Sequence, residues 1–309
     1  MSDVIDTLAV DSDRRTALES APAPPEIVRV EEPSALQLVT IIERRSDWKL
    51  VDPVECYRYR ELLYFLIWRD VKVRYKQTVL GASWAVLQPL ATMIVFSLFI
   101  GRMVPAAAAE MPYPLYAFIG LVPWTFFATA AASAGSSIVG SQNLISKVYF
   151  PRIFVPLGAV GAAVVDFLIA GLLIFPLLLF YGFGVDLTIV AVVPITLLLV
   201  VTASGVGALL SALTVAYRDF RYVIPFMVQL WMFATPCVYL PLDAVHNSRW
   251  APLLPLNPVY GLILNFRAAF TAGTFDWPAL TISGAVSVVL LLSGLIYFRR
   301  VERSFADIV

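Results

Sequence analysis

The apolar positions of this sequence gather into six long segments, separated by shorter polar connections. An α-helix needs about 20 mostly apolar residues to cross the ~30 Å hydrocarbon core of a bilayer. Only a helix or a closed barrel satisfies its backbone hydrogen bonds there. The pattern predicts an all-α integral membrane protein with six transmembrane helices, approximately Trp84–Val104, Leu115–Val139, Pro156–Tyr181, Leu187–Ala216, Val223–Leu240 and Leu280–Phe298. Kinks or short broken helices are expected at Pro123, Pro225 and Pro236.

A stretch just before the first span, roughly residues 57–77, has the period of an amphipathic helix. Tyr64, Trp68, Val71 and Tyr75 recur on one face, and Glu61, Arg69, Lys72 and Lys76 share another. Asp70 and Arg74 lie four residues apart and are expected to pair. We interpret the stretch as an interfacial helix on the inner leaflet, held by aromatic and basic side chains, whose cytosolic face can also contact a partner. The residues assigned to it are Trp68, Arg69, Asp70, Arg74, Tyr75 and Lys76.

Basic residues are unevenly distributed between the two sides of the predicted membrane. They concentrate before the first span, in the second and fourth connections and after the last span, whereas the first connection carries only Arg102 and the third none. The fifth connection, with Arg249 and Arg267, is the exception. Because Lys and Arg favour the cytoplasmic side, the pattern predicts that both termini are cytosolic.

Residues 1–54 differ in composition from the rest. Residues 1–52 carry eleven acidic and six basic side chains and a Pro-rich stretch, and such a segment buries too little apolar surface to offset its ordering entropy. It lacks the basic start and apolar core of a secretory signal peptide. We predict a cytosolic N-terminal tail over 1–54, largely disordered at least to about 32, and a transmembrane domain over 55–309.

The composition excludes several kinds of site. The chain is 60% hydrophobic and 14% charged, whereas a soluble domain is about 25% charged. Cys56 and Cys237 make a poor disulfide pair, because one is predicted in the cytosol and the other inside a span. No metal site or hydrolase motif is recognised. Since none of the lysines (Lys49, Lys72, Lys76 and Lys147) follows a glycine, the chain lacks a phosphate-binding loop and is expected to be a transport subunit, not an enzyme.

Two predicted cytosolic connections are candidates for docking a partner. The second, residues 143–156, is too polar to span and too apolar for an ordinary loop, and its aromatic and basic side chains can fit a groove on another protein. The fourth, Tyr217–Tyr222, offers a second contact with paired charges. The side chains of both are expected to lie outside the bundle core. Residue chemistry leaves it equally open that they are plain loops.

Several motifs, in order along the chain, resemble one family. They are Trp68-Arg-Asp-Val-Lys-Val-Arg-Tyr-Lys-Gln-Thr-Val-Leu-Gly-Ala-Ser-Trp84, Leu87-Gln-Pro-Leu90, Gly120-Leu-Val-Pro-Trp124, Leu144-Ile-Ser-Lys-Val-Tyr-Phe-Pro-Arg152 and Tyr217-Arg-Asp-Phe220. From about residue 55 to the C-terminus, the sequence resembles the permease subunits of polysaccharide ABC exporters of the ABC-2 type. That family exports lipid-linked O-antigen, teichoic acid and capsule precursors. The acidic N-terminal tail departs from its usual pattern.

The resemblance implies a homodimer in the cell inner membrane, with a channel on the two-fold axis and a pair of cytosolic ABC ATPase subunits that bind ATP and Mg²⁺. It also implies short re-entrant helices between the fifth and sixth spans, in and around Asn257–Arg267. Coupling to the ATPase is assigned to Lys147, Tyr149, Phe150, Pro151, Arg152, Arg218 and Asp219. Channel aromatics that would stack on sugars are Trp124, Phe127, Trp231 and Tyr239, although such residues near span ends can equally be interface anchors.

Other functions stay open at this point. One is an ABC-type efflux permease for another amphiphile. Another is a secondary transporter, which commonly couples through ionisable residues inside the membrane. Asp166 is the one acid well inside a span; ionised at mid-membrane it would cost roughly 2.5–3.5 kcal/mol, so it is expected to face the bundle interior. A membrane enzyme acting on a lipid-linked substrate would need a charged or metal-binding cluster, and none is evident.

Overall fold

The computed structural model describes residues 57–76, 81, 83–102, 111–148, 150–184, 186–240, 251–271 and 273–302. All of them belong to the compact unit Trp48–Val309. The predicted N-terminal tail and Tyr149 lie outside the described residues, so their assignments stay predictions. Within these ranges the chain forms helices and turns and no strand, which confirms the all-α class.

Ten α-helices order the described part of the chain. They are α1 Arg60–Tyr75, α2 Ser83–Phe99, α3 Tyr113–Gly140, α4 Gln142–Ile145, α5 Phe154–Leu172, α6 Ile174–Phe180, α7 Val192–Ala216, α8 Phe220–Phe233, α9 Pro258–Phe270 and α10 Trp277–Glu302. Short 3-10 helices cover Leu187–Ala191, Pro236–Val238 and Ala251–Leu256. The pattern of apolar segments therefore predicted the order of the main helices.

Four of the described helical segments are long and apolar enough to cross a membrane, by length and composition. They are Tyr113–Gly140, Phe154–Phe180, Leu187–Ala216 and Trp277–Glu302, which correspond to the second, third, fourth and sixth predicted spans. The first and fifth predicted spans contain the shorter apolar helices α2, with 17 residues, and α8, with 14 residues. The structure thus supports a multi-pass protein with at least these crossings.

Prolines shape the helices differently from the sequence expectation. Helix α3 continues through Pro123, and α8 continues through Pro225. Helix α8 does end before Pro236, which begins a 3-10 helix. An additional break separates α5 from α6 at Leu173, where Pro176 lacks the N–H that would continue the ladder.

Helix α3 lies at the centre of the bundle and packs against α2, α5, α7, α8 and α9. Most of its side chains are buried, and small residues in its second half let its neighbours approach closely. Gly207 of α7 illustrates this, because a Cβ there would lie 2.7 Å from Ala134 of α3. The small residues of α7 therefore form a packing surface.

Helices α7 and α10 are also packed closely. Gly205 and Gly294 face each other with no room for a side chain on either. Along the same interface, three residues before Gly205 and seven before Gly294, the hydroxyls of Thr202 and Ser287 are joined by a 2.7 Å hydrogen bond. Close backbone approach and polar contacts are the usual means of helix association where lipid removes the hydrophobic driving force.

Candidate functional site

One end of the bundle is closed by a second apolar cluster. Here α3, α7 and α10 end and α5 begins, and α1 packs beside them. The Phe150 cluster consists of Leu66, Ile138, Phe150, Ile153, Phe154, Val155, Ala208, Ala212, Val215 and Phe298. It joins five long helices to the connection that precedes α5. We call this end of the molecule the Phe150 end.

Phe150 itself contradicts one expectation from the sequence. Its side chain is only 5% exposed and lies inside the cluster, not outside the bundle core. The reason is that the connection folds back over the ends of the helices, and a phenyl ring there removes its apolar surface from water. Phe150 therefore anchors the connection, whereas a direct contact with a partner would need an exposed side chain.

The residues around Phe150 divide into anchored and exposed ones. Arg152 donates a 3.1 Å hydrogen bond to the carbonyl oxygen of Glu302 and so ties the connection to the end of α10. Pro151 is half-buried, and Lys147 is exposed after the short helix α4. Among the described basic residues of this connection, Lys147 is therefore the one whose side chain is exposed.

The turn between α7 and α8 presents the second predicted contact. Arg218 and Asp219 are both exposed, and Tyr217 is 60% exposed with its ring 6.2 Å from that of Phe220. Val215, at the end of α7, belongs to the Phe150 cluster. The two predicted docking connections consequently lie at the same end of the bundle.

Helix α1 forms where the sequence predicts a helix, but it packs along α5. Leu66 is fully buried against Gly158, and a Cβ on Gly161 would lie 2.6 Å from Ile67. Eight residues further along both helices, the guanidinium of Arg74 pairs with the carboxylate of Asp166. The two helices therefore run side by side in the same direction. Close packing of α1 side chains on two glycines of α5 and an ion pair hold them together.

The charges of α1 pair differently from the sequence expectation. Asp70 pairs with its neighbour Arg69 at 2.8 Å instead of with Arg74. Arg69 also donates to the hydroxyl of Ser141, at 3.4 Å, beyond the end of α3. The prediction of an Asp70–Arg74 pair is wrong because a carboxylate from α5 takes Arg74.

In the described part of the chain, both partners of the Asp166 carboxylate come from α1. Besides the pairing with Arg74, it accepts a hydrogen bond from the hydroxyl of Tyr75. Burial raises the pKa of Tyr75, and the nearby Arg74 opposes this only in part. The phenol therefore stays protonated and able to donate. The prediction that Asp166 faces protein and not lipid is confirmed, and its partners are now named.

The outward face of α1 is aromatic. Tyr64 is 69% exposed, Trp68 is 55% exposed, and Lys76 is exposed near the end of the helix. Val71 and Tyr75, which the sequence placed on this same face, are instead half-buried. Exposed aromatic and basic side chains suit a lipid–water boundary. The interfacial position of this face stays a prediction.

The opposite end of the bundle buries its polar groups. Arg267 of α9 is 3% exposed and donates to the carbonyl oxygens of Cys237, at 2.8 Å, and Tyr116, at 3.3 Å. Its guanidinium also stacks on the ring of Tyr116, 3.6 Å from the centroid. The absence of a side chain at Gly120 leaves room for it. We call this the Arg267 end.

Asn257 is the second polar hub of the Arg267 end. Its Oδ1 accepts from the indole of Trp231, at 3.0 Å, and caps α9 through the backbone N–H of Val259. Its Nδ2 donates to the hydroxyl of Thr235 at 2.9 Å. One amide thereby ties the end of α8 to the beginning of α9. Sequence reasoning named Asn257 and Arg267 only as the limits of the expected re-entrant segment and did not assign them these contacts; the available signal was a basic residue at the end of that mostly apolar stretch.

Helix α9 occupies the place where re-entrant helices were expected. All its residues except Ala268 are buried, and its 13 residues make a helix about 20 Å long, too short to cross ~30 Å of hydrocarbon. Cys237, on which Arg267 anchors, is a buried free thiol. A short buried helix between α8 and α10 is thus present.

The four candidate channel aromatics are not equally exposed. Trp124 is 4% exposed and Phe127 is fully buried, and Phe127 packs edge-on against Trp231 with centroids 5.0 Å apart. Trp231 and Tyr239 are half-buried. In this single chain, Trp124 and Phe127 therefore fill the core, and a place in a channel wall stays a prediction.

Comparison with known proteins identifies the family. Residues 61–271 match the family described as ABC-2 type transporter. The chain is 30% identical to the O-antigen export system permease protein RfbA of Myxococcus xanthus, over 82% of this chain and 97% of that protein. It is 29% identical to RfbA of Klebsiella pneumoniae, over 81% and 95% of the two chains. It is 23% identical to the polysialic acid transport protein KpsM of Escherichia coli, over 77% and 93%. The chain therefore belongs to the ABC-2 type transporter family.

Proposed function

We propose that this chain is the channel-forming permease subunit of an ABC exporter for a lipid-linked polysaccharide, such as an O-antigen. The observation that carries the proposal is the near full-length match to export permeases, 97% of the relative from Myxococcus xanthus. The bundle described above fits that role, since it offers long apolar helices and an exposed charged end but no described cluster of metal ligands.

Six crossings complete the proposed membrane topology. The four long segments are joined by α2, whose 17 residues reach about 25 Å. Helix α8 reaches about 21 Å and is extended by the 3-10 helix Pro236–Val238. Short helices of this kind suffice if the bilayer thins locally or the ends contribute.

The Phe150 end faces the cytosol in this proposal, so that both termini are cytosolic and the chain lies in the inner membrane. Its support is the concentration of basic residues there: Lys147, Arg152, Arg218, Arg221, Arg299 and Arg300. The Arg267 end then faces outward. Of the basic residues predicted on that side, which are Arg102, Arg249 and Arg267, Arg267 does not weaken the rule because it is buried in protein.

A pair of cytosolic ATPase subunits, which bind ATP and Mg²⁺, docks on the Phe150 end. Exposed Lys147, Arg218 and Asp219 provide the charged contacts, and Phe150 and Arg152 transmit movement because they connect the docking surface to the helices. Rigid packing of this kind passes a displacement on instead of absorbing it.

A homodimer places the polysaccharide path on its two-fold axis. Helices α2 and α8 pack on α3 and expose large apolar side chains, among them Phe99, which is 72% exposed, and Phe226, which is 60% exposed. Either lipid or a second copy can cover such surfaces. A long hydrophilic polymer needs a wide path, which two copies enclose more readily than one.

The decisive experiment is depletion of this protein followed by measurement of the polymer on each leaflet and at the cell surface. We expect lipid-linked polysaccharide to accumulate on the cytosolic leaflet while its synthesis continues. Unchanged surface polysaccharide, with retention of a small hydrophobic compound, would instead show a permease for another amphiphile. A catalytically inactive ATPase partner should reproduce the accumulation.

A further inference from the structure

Beside the Asp166 ion pair lies an open cavity of about 330 Å³, lined by residues of α1, α2, α3 and α5 of one chain. This is near the lower end of the ~300–1,000 Å³ typical of small-molecule sites. It lies within a single copy and contains none of the four channel aromatics. Gly81, whose φ of +51° favours glycine, forms the turn at its edge just before α2.

The wall contributed by α3 is a stripe of hydroxyls. Thr125, Thr129 and Ser133 lie four residues apart, hence on one face, and all three line the cavity. Each residue is half-buried, and none of the three side-chain hydroxyls is hydrogen-bonded to a residue that the structure describes. Elsewhere in the same bundle, Thr202 and Thr214 bond to backbone carbonyls one turn earlier. Three hydroxyls on one wall can donate to and accept from a polar occupant of the cavity.

The other walls add planar polar groups and an aromatic ring. Gln88 of α2 offers an amide that can both donate and accept. Arg74 and Asp166 face the cavity as a neutralised pair, and Trp84, 54% exposed, stands at its edge. Because the pair carries no net charge and includes a carboxylate, the site disfavours an anion such as a phosphate. Its chemistry fits a ligand that is neutral and rich in hydroxyls.

The position of the cavity across the membrane can be inferred from the length of α2. This helix begins beside Asp166, and Gly101, just beyond its other end, approaches the ring of Tyr113 at the start of α3. Its length of about 25 Å is shorter than the ~30 Å hydrocarbon core. With Gly101 at the outer boundary of the hydrocarbon and the Phe150 end projecting into the cytosol, the length of α2 places the ion pair toward the cytosolic boundary, although Asp166 is at the middle of the apolar segment Phe154–Phe180. There the first sugar of a lipid-linked glycan would be found.

We propose that this cavity binds a neutral sugar residue, the one nearest the lipid anchor of the exported glycan. The identification of the sugar's source rests on the proposed function. The sugar's hydroxyls bond to Gln88, Thr129 and Ser133, and its apolar ring face stacks on Trp84. The Arg74–Asp166 pair fixes the cavity's shape by holding the end of α1 against α5.

The test uses the full-length chain in lipid nanodiscs with Thr125→Cys, a cavity-lining position that is not one of the three proposed to bond to the sugar, in a background with Cys56→Ser. The rate at which a water-soluble thiosulfonate reagent modifies the new thiol is measured with hexyl β-D-glucoside, hexyl phosphate or hexylphosphocholine present. We expect the glucoside alone to slow the modification. Adding Ser133→Ala or Gln88→Ala should weaken that protection about threefold to tenfold, the range of a single hydrogen bond.

Ser136→Ala is the matched control, because Ser136 is exposed one turn away on α3, outside the cavity, and its hydroxyl donates to the carbonyl oxygen of Ala132. It should leave protection unchanged. Equal slowing by all three hexyl compounds, slowing by none, or stronger slowing by either phosphate compound would overturn the sugar site. ATP-driven glycan export by the unmodified chain with its ATPase, measured in parallel, tests the proposed function separately.

Discussion

The two ends of the bundle treat polar side chains in opposite ways. At the Phe150 end, a buried phenyl ring anchors the structure, and charged residues such as Lys147 and Arg218 are left exposed. At the Arg267 end, the cation itself is buried and its hydrogen bonds hold the elements together. Exposed charge remains available to a partner, whereas buried charge must be satisfied within the chain. The difference is consistent with the proposed docking of a partner at the Phe150 end, whereas the Arg267 end is held together by its own hydrogen bonds.

The largest difference between the ends should appear in their accessibility. Ser146→Cys at the Phe150 end and Asp186→Cys at the other end both replace exposed residues. In intact spheroplasts, a membrane-impermeant maleimide should label only Asp186→Cys, because the Phe150 end is proposed to face the cytosol. Permeabilised cells are the control and should show labelling of both. External labelling of Ser146→Cys would refute the orientation.

Next in size is the effect of removing the buried cation. Arg267→Ala leaves a cavity beside Gly120 and deprives two buried carbonyl oxygens of their donor. We expect a loss of about 3–5 kcal/mol in the free energy of unfolding, measured by denaturation in detergent micelles. Arg221→Ala, an exposed residue at the Phe150 end, should change it by less than about 0.5 kcal/mol. Equal stability of the two variants would contradict the closing role.

At the Phe150 end, stability should depend on the phenyl ring and not on the charges. Phe150→Ala is expected to cost about 3 kcal/mol, since Phe150 is 5% exposed within the cluster. Phe150→Leu keeps most of the apolar volume and should cost less than half as much. Thermal unfolding of the two variants in the same detergent measures the difference. If Phe150→Ala unfolds like the unmodified chain, the ring is not an anchor.

How far the sequence alone reached is clear from particular residues. Hydrophobic periodicity predicted most helices, because lipid imposes a long apolar run on each crossing. It could not predict that Arg74 pairs with Asp166, 92 residues away, since local spacing favoured Asp70. It also could not predict that Phe150 is buried, because an apolar residue in a connection can serve an anchor or a partner equally well. Long-range contacts of this kind depend on how the helices pack.

The smallest effect on stability, and a large one on coupling, is expected for the exposed charges. Lys147→Glu and Arg218→Glu reverse charges on surface side chains and should change the free energy of unfolding by less than about 0.5 kcal/mol. If these residues dock the ATPase, each reversal places a like or unpaired charge against the partner and weakens co-purification of the two subunits. Stimulation of ATP hydrolysis and export should fall together.

The matched control for charge alone is Arg300→Glu, which changes an exposed residue on α10 at the same end. Normal co-purification of both docking variants, or an equal loss in the control, would show that general basicity and not these two connections recruits the partner.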